Sequence, residues 1–368
     1  MRNDDLRTIQ QNILTYNSTL DIMQWGNKND YPQQMLRILQ NSVSATECLH
    51  IYANFIIGQG FVTEAFNHVE INRNGQSLFN LLESMAKDYA TFGGFAVLVK
   101  YNALLQIREL YHVPFEQVRI ADRDDNYNYH HIALHEDWGK EYVRLKRFDA
   151  KDIKRFSFFD NSKEKLRAEI LQAGGIKNYN GQIFYYSNMG KKEYPQPLYT
   201  PAMKDMHTED TIATINNRNA YNRFMPSGLL VQVLNNNGID EYEAKELNQQ
   251  FQEDFLKAQG PDNLGKIMAL TVRDKEDTPQ FIPMQTNNYA EDYKVTSENV
   301  RKSIRQSFHL PPILCSEAVN TGFDTDAMQS AFIYYNQQTQ RERIIIEQAL
   351  QKLMSNTEIK ISPLQWQS

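Results

Sequence analysis

The sequence predicts an α+β protein, with helices at both ends and strands in the middle. Three observations carry that expectation. Apolar residues recur at steps of three and four between 33 and 57, between 78 and 92, and again beyond 201. From about 95 to 190 the pattern changes to alternation, rich in Tyr, Phe, Ile and Val, with Asp-Asn and Gly-Gly turns. The length of 368 residues accommodates both, as two or three domains with a large core.

The elements follow in order. Residues 1–30 are polar except for a cluster at Leu20, Ile22, Met23 and Trp25. Asn29-Asp30-Tyr31-Pro32 reads as a turn opening a helix, with Asp30 as its cap and Pro32 in the first turn. Met35, Leu36, Leu39 and Val43, then Leu49, Tyr52, Ala53, Ile56 and Ile57, predict two helices or one helix broken near Ser42–Ser44. Gly58-Gln59-Gly60 stops the run. Leu78, Leu81, Leu82, Met85, Tyr89 and Phe92 share one helical face, ended by Gly93-Gly94. Strands are expected at 95–101, 106–111, 117–120, 131–135, 142–147 and 182–186. A helix is expected at 201–224, a strand at 229–234, and a helix at 240–259 with a capping-box-like Asp240/Glu243 pair. Two short strands, 266–272 and 280–284, are expected across an Arg273–Asp277 turn. A helix at about 289–308 ends at Pro311-Pro312, and a polar loop runs from Cys315 to Thr325. A last helix, about 326–355, would be about 45 Å long, with a closing strand at 357–361.

Composition narrows the function classes. The chain is 41% hydrophobic and 23% charged, in the globular range. The 39 Lys and Arg stand against 45 Asp and Glu, a net charge of −6. That balance argues against tight, non-specific wrapping of nucleic acid and leaves brief contact with DNA open. The mean hydropathy is −0.60 despite an aromatic content of 11%. The difference lies in many Asn, Gln and Tyr residues, types that suit wet subunit interfaces. Cys48 and Cys315 lie far apart and form neither a disulfide framework nor a metal-ligand spacing. Two buried thiols in a reducing compartment are expected. The first twelve residues lack the apolar stretch of a signal peptide. The longest apolar run, Ile51 to Phe61, is cut by Gly58 and Gly60, so a soluble cytoplasmic product with no membrane contact is expected.

Motifs of catalysis are absent. There is no Gly-x-x-x-x-Gly-Lys-Ser/Thr, no Gly-x-Gly-x-x-Gly after a strand, no Gly-x-Ser-x-Gly and no His-Glu-x-x-His. Gly58-Gln59-Gly60 follows a helix, not a strand. On a strand, His131 and His135 would share a face, with Asp137 two residues further on. Such a set suits a divalent metal; a half-exposed strand with polar outward residues explains it equally. The acidic pairs Asp4-Asp5, Asp124-Asp125 and Glu209-Asp210 read as solvated. No titratable groups converge on an active site and no cofactor is expected.

The second half carries a more specific signal. Asn219, Asn222 and Pro226-Ser227-Gly228 lead from a helix into an apolar strand. Further on come Ile304, Phe308 and Pro311-Pro312, a polar loop and a long Gln-rich helix from Ala327. In this order, and together with Asn29-Asp30-Tyr31-Pro32, Gly58-Gln59-Gly60-Phe61 and the helix–Gly93-Gly94–strand unit, the chain resembles the portal proteins of tailed bacteriophages. Each motif alone is weak; the likeness lies in their order, which spans most of the chain.

The resemblance implies a portal-like subunit: a mixed α/β wing, a two-helix stem, a small β-containing clip and a long C-terminal helix. The wing would be 1–238, comprising a helical N-terminal part, the β-rich 95–190 and the helix 201–224. Stem helices would be 239–260 and 289–312, with the clip 261–288 between them. Residues 313–326 would form a tunnel loop and 327–368 the C-terminal wing helix and strand. It implies a homo-oligomeric ring, usually of twelve, at one capsid vertex, the channel for packaging and ejecting double-stranded DNA. Partners would be the large terminase subunit, a head-tail adaptor, and the major capsid and scaffold proteins. The setting would be the virion, and the bacterial host cytoplasm during assembly.

Candidate residues follow from that layout. The channel candidates are Ser316, Glu317, Asn320, Thr321, Gly322, Asp324 and Thr325, a loop without Lys or Arg that would guide a duplex without gripping it. Stem candidates are Glu246, Glu253 and Lys257 on a helix of net charge −4, facing Arg301, Lys302 and Arg305 on one of net charge +1. Clip candidates for terminase contact are Lys266, Arg273, Asp274, Lys275 and Glu276. The rival expectations are a metal-dependent DNA-processing enzyme built on His131, His135 and Asp137, and another minor capsid or head protein.

Overall fold

The computed structural model describes residues 14–139, 149–190, 193–222, 228–231, 280–283, 289–315, 325–355 and 357–366. It divides into two units, 1–207 with 301–368, and 208–300. The expected helix at 240–259 and the strands at 142–147 and 266–272 lie outside the described residues.

The first unit is built on an eight-stranded sheet. Its strands are β1 (Leu14–Asn17), β2 (Ile22–Trp25), β3 (Gly94–Tyr101), β4 (Ile107–Val113), β5 (Val118–Arg123), β6 (Tyr129–Leu134), β7 (Lys154–Phe158) and β8 (Gln182–Ser187). Their order is β1-β2-β5-β6-β7-β8-β3-β4. Neighbours are antiparallel except β7 and β8, which are parallel. A parallel pair needs a crossover, and α4 (Lys163–Gln172) lies between them in sequence. Strands β1, β2 and β7 and helix α4 were not among the sequence expectations.

Helices α1 (Tyr31–Asn41), α2 (Val43–Ile57) and α3 (Leu78–Phe92) match the expected runs. The break falls at Ser42, whose side chain accepts from the Ala45 N–H at 3.2 Å. Asp30 occupies the N-cap position of α1 without capping it; its carboxylate accepts from Gln34 Nε2 at 2.8 Å. Ser77 and Asn80 form a capping box on α3, and Gly93 ends that helix at φ 83°. The helix expected from 201 starts later, as α5 (Met203–Asn222), because Thr200–Ala202 is a 3-10 turn.

Trp25 is the centre of the sheet's aromatic core. It is fully buried and stacks on Tyr194 at 4.4 Å, with Phe92, Phe115 and Tyr31 around it. The turn before α1 is fixed beside it. Asn29 adopts φ 55°, and its side chain accepts from the Trp25 N–H and from Arg119 Nε. Asn tolerates that left-handed conformation better than most residues.

Gly58-Gln59-Gly60 has a structural role. Gly58 caps α2 at φ 61°, and a Cβ there would lie 2.0 Å from the Ser362 carbonyl oxygen. Gln59 and Val62 donate to the carbonyls of Ser362 and Lys360 at 2.8 and 2.9 Å. The expected closing strand is thus a single bridge, Phe61 to Ile361.

The long C-terminal helix is two helices, α7 (Thr325–Gln338) and α8 (Gln340–Leu353). Thr339 marks the break. Its hydroxyl donates back to the carbonyls of Tyr335 and Asn336, an interaction that bends helices. Arg343 donates to the Thr339 hydroxyl, to the Asn336 carbonyl and, across to α2, to the Phe55 carbonyl at 2.7 Å.

In the second unit, β9 (Gly228–Val231) pairs antiparallel with β10 (Gln280–Pro283), in register Gly228 to Pro283. The strand expected at 280–284 is therefore present, and its partner among the described residues is β9. The two strands bracket residues 232–279.

Candidate functional site

Helix α6 (Tyr289–Ser307) and the turn after it carry the described part of the expected stem and channel. Val300, Ile304 and Phe308 recur at steps of four and are buried, followed by Leu310. Arg301, Lys302 and Gln306 lie on the exposed side, and Arg305 is half-buried. Ser303 donates to Asp205 of α5.

Phe308 anchors this turn. Its ring stacks on Tyr199 at 5.6 Å and meets the edge of Tyr52 at 6.2 Å. Its carbonyl accepts from the Tyr335 hydroxyl of α7 at 3.1 Å. The helix ends with His309 at φ 54° and the Leu310 N–H returning to the Arg305 carbonyl. Pro311 is extended, and Pro312–Leu314 make one 3-10 turn. Two prolines cannot continue a helix, so the chain is redirected here. The Ile304, Phe308, Pro311-Pro312 pattern is thus a buried anchor followed by a forced turn.

Of the channel candidates, Thr325 is the first residue of α7. Ser316, Glu317, Asn320, Thr321, Gly322 and Asp324 lie outside the described residues. So do Glu246, Glu253 and Lys257, and Lys266, Arg273, Asp274, Lys275 and Glu276. Arg301, Lys302 and Arg305 are described and lie on the last two turns of α6, ahead of the Pro-Pro redirection.

The histidine set is described in full, and its members face different groups. His131 Nδ1 lies 2.7 Å from Asp122 Oδ2, and Asp122 is also paired with Arg155. Burial raises the Asp122 carboxyl above its usual range, against the opposing pull of Arg155 and His131. His135 Nδ1 accepts from the Asp137 backbone N–H at 2.9 Å, and its ring lies 5.4 Å from Trp138. Among the described residues no group of three or more His, Cys, Asp or Glu side chains is placed to hold a metal ion. The strand that was expected to run to His135 ends at Leu134, so the alternation putting His131 and His135 on one face does not extend that far.

One contact was invisible in the sequence. Cys48 is buried in α2 and Cys315 is half-buried after the Pro312–Leu314 turn, and their thiols are hydrogen-bonding neighbours. The expectation of two buried thiols holds for Cys48; Cys315 is partly open.

No protein-family model and no curated protein matches the chain. Solved structures do match it. A chain from the virion of a native gene transfer agent particle aligns at TM-score 0.53 and 13% identity, over 90% of this chain and 83% of that one. A chain from the neck of an empty gene transfer agent particle aligns at TM-score 0.54 and 14% identity, over 90% and 84%. A looser likeness, TM-score 0.48 at 9% identity over 89% and 95%, is to an HK97-family phage portal protein from Corynebacterium diphtheriae. The chain thus has the fold of a subunit found in a virus-like particle and its neck. Fold is what these chains share at such low identity.

Proposed function

We propose that this chain is a portal subunit of a tailed phage or prophage, which assembles with its own copies into a ring around a DNA channel. The observation that carries the reading is the match of a particle-neck fold over 90% of a chain whose order of motifs resembles portal proteins. The neck structures that share the fold were computed with six-fold and twelve-fold symmetry, which suits a ring of copies. Exposed apolar side chains on the C-terminal helices, Ile333, Tyr334 and Ile344, give a second copy something to cover.

In this reading the chain catalyses nothing. Its surfaces dock the large terminase and later the head-tail adaptor, and meet the capsid and scaffold proteins during assembly. The clip, residues 261–288, is the part offered to the terminase and the adaptor. The 316–324 segment, without Lys or Arg, faces the moving duplex.

Size-exclusion chromatography with light scattering, followed by negative-stain imaging, tests the reading. Twelve copies of 43.0 kDa closing cyclically would give a particle of about half a megadalton with a central hole. A chain that stays monomeric at high concentration, and in the presence of its scaffold, would overturn it.

A further inference from the structure

The two cysteines of this chain lie far apart in sequence and side by side in the fold. Cys48 sits on the buried face of α2, 2% exposed. Cys315 follows the 3-10 turn, half-buried, with its Sγ 4.0 Å from the Pro311 carbonyl. Two further contacts bring these elements together. Tyr52, one turn beyond Cys48, meets the Phe308 ring, and Tyr335 bonds the Phe308 carbonyl. The thiols themselves are within hydrogen-bonding reach.

We propose that Cys48 and Cys315 are a site of oxidative modification that closes into an intrachain disulfide, tying α2 to the residue just ahead of the 316–324 segment. Closure needs the sulfurs, already hydrogen-bonding neighbours, to approach to about 2 Å. The burial difference sets the order of events. Cys315 is the thiol that solvent reaches. The hydrogen bond to Cys315, and then burial, hold the Cys48 thiol protonated far above its ordinary range. The Cys315 thiolate therefore attacks first. With a small disulfide as oxidant, its sulfur bonds to one sulfur of the reagent and expels the other half as thiolate. The Cys48 sulfur then attacks Cys315 Sγ, and the second half of the reagent leaves with the Cys48 proton as a thiol. Two thiols are oxidised to one disulfide while one reagent disulfide is reduced to two thiols.

A reducing cytoplasm keeps the pair open, and an oxidising medium closes it. The chemistry stands on this chain's own geometry. Only its meaning, a covalent tie set at the foot of a channel loop once a particle has left the cell, rests on the portal reading.

The test uses the full native chain and oxidised glutathione, followed by an acid quench, unfolding, alkylation and peptide mapping. Free thiols should fall from two to none per chain, with loss of two hydrogen masses and recovery of a Cys48–Cys315 linked peptide. The oxidised chain should melt several degrees higher than the reduced one. Cys315→Ser, at a partly open position, should leave Cys48 alkylatable and the melting unchanged, and Cys48→Ala should stop at a mixed disulfide on Cys315, with no linked peptide. The proposal fails if both thiols stay alkylatable under conditions that oxidise the urea-unfolded chain. It also fails if the product is a glutathione adduct or a link between chains. Light scattering on the same samples scores the ring separately. A disulfide without a ring would count against the portal reading alone.

Discussion

Arg119 and Arg343 are both buried, at 0% and 6% exposure, yet they hold the chain in different ways. Arg119 on β5 joins parts distant in sequence. It donates to the Asn29 side chain and carbonyl and to the carbonyls of Glu116 and Val118, and it lies over the rings of Trp25 and Trp138 at 5.8 and 5.3 Å. Arg343 on α8 mainly serves the helix break just before it, feeding Thr339 and the carbonyl of Asn336, with one long-range bond to Phe55. Burial alone therefore does not rank a charge's importance. What counts is how many groups lose their partner when it is removed.

That contrast can be broken by substitution. Arg119→Met should destabilise the protein most, by about 4 kcal/mol, because several buried acceptors lose their donor at once. Chemical denaturation monitored through Trp fluorescence would show it. A loss no larger than that of Arg343→Met would remove the distinction drawn here. Arg343→Met should cost about 2–3 kcal/mol, since the carbonyls at a helix break have other routes to partners.

Gly58→Ala tests the contact between the α2 terminus and the C-terminal segment. A left-handed backbone and a Cβ against the Ser362 carbonyl predict a loss of about 2 kcal/mol. Limited proteolysis should then release the segment after α8 sooner than in the parent. Thr339→Val should cost about 1 kcal/mol by removing the back-bonding hydroxyl. Combined with Arg343→Met it should be non-additive by at least about 0.5 kcal/mol. Strict additivity would uncouple the bend from the arginine.

The smallest effect is a slope. Burial pushes the Asp88 carboxyl up to about 6, against the stabilising pull of His112 2.7 Å away. Its unfolded value is near 3.8, so this group's stabilising contribution is complete below pH 3.8 and is lost as pH rises through about 6. Asp88→Asn should flatten the dependence of Tm on pH between about 4 and 6 by a few degrees at most. An unchanged slope would place the titration elsewhere.

Periodicity revealed the elements that bury one face. Helix α3 matches its expected run from Leu78 to Phe92, and the capping Ser42 lies within the expected break. It failed where short elements carry few apolar positions. Strand β2 shows in sequence only as the cluster ending at Trp25, and α4 buries only Leu166. Surrounding strand-like residues masked that helix. The kink at Thr339 was half visible, as a polar stretch between two apolar stripes. Its cause, a hydroxyl and a guanidinium both serving the Asn336 carbonyl, needed coordinates. At the site, the Phe308 and Pro-Pro turn was readable because proline acts locally. The meeting of Cys48 with Cys315 was not, because no local rule links residues so far apart.

The β9–β10 ribbon has a consequence for how such a chain can change. Its register holds Val231 opposite Gln280, so the chain leaves and returns at points about 5 Å apart. Any replacement cassette whose ends meet at that spacing can be spliced in without altering the pairing. Lengthening the cassette costs only the slow logarithmic growth of loop-closure entropy. The ribbon is thus a natural graft point, where a different segment could be transplanted and the β9–β10 pairing kept.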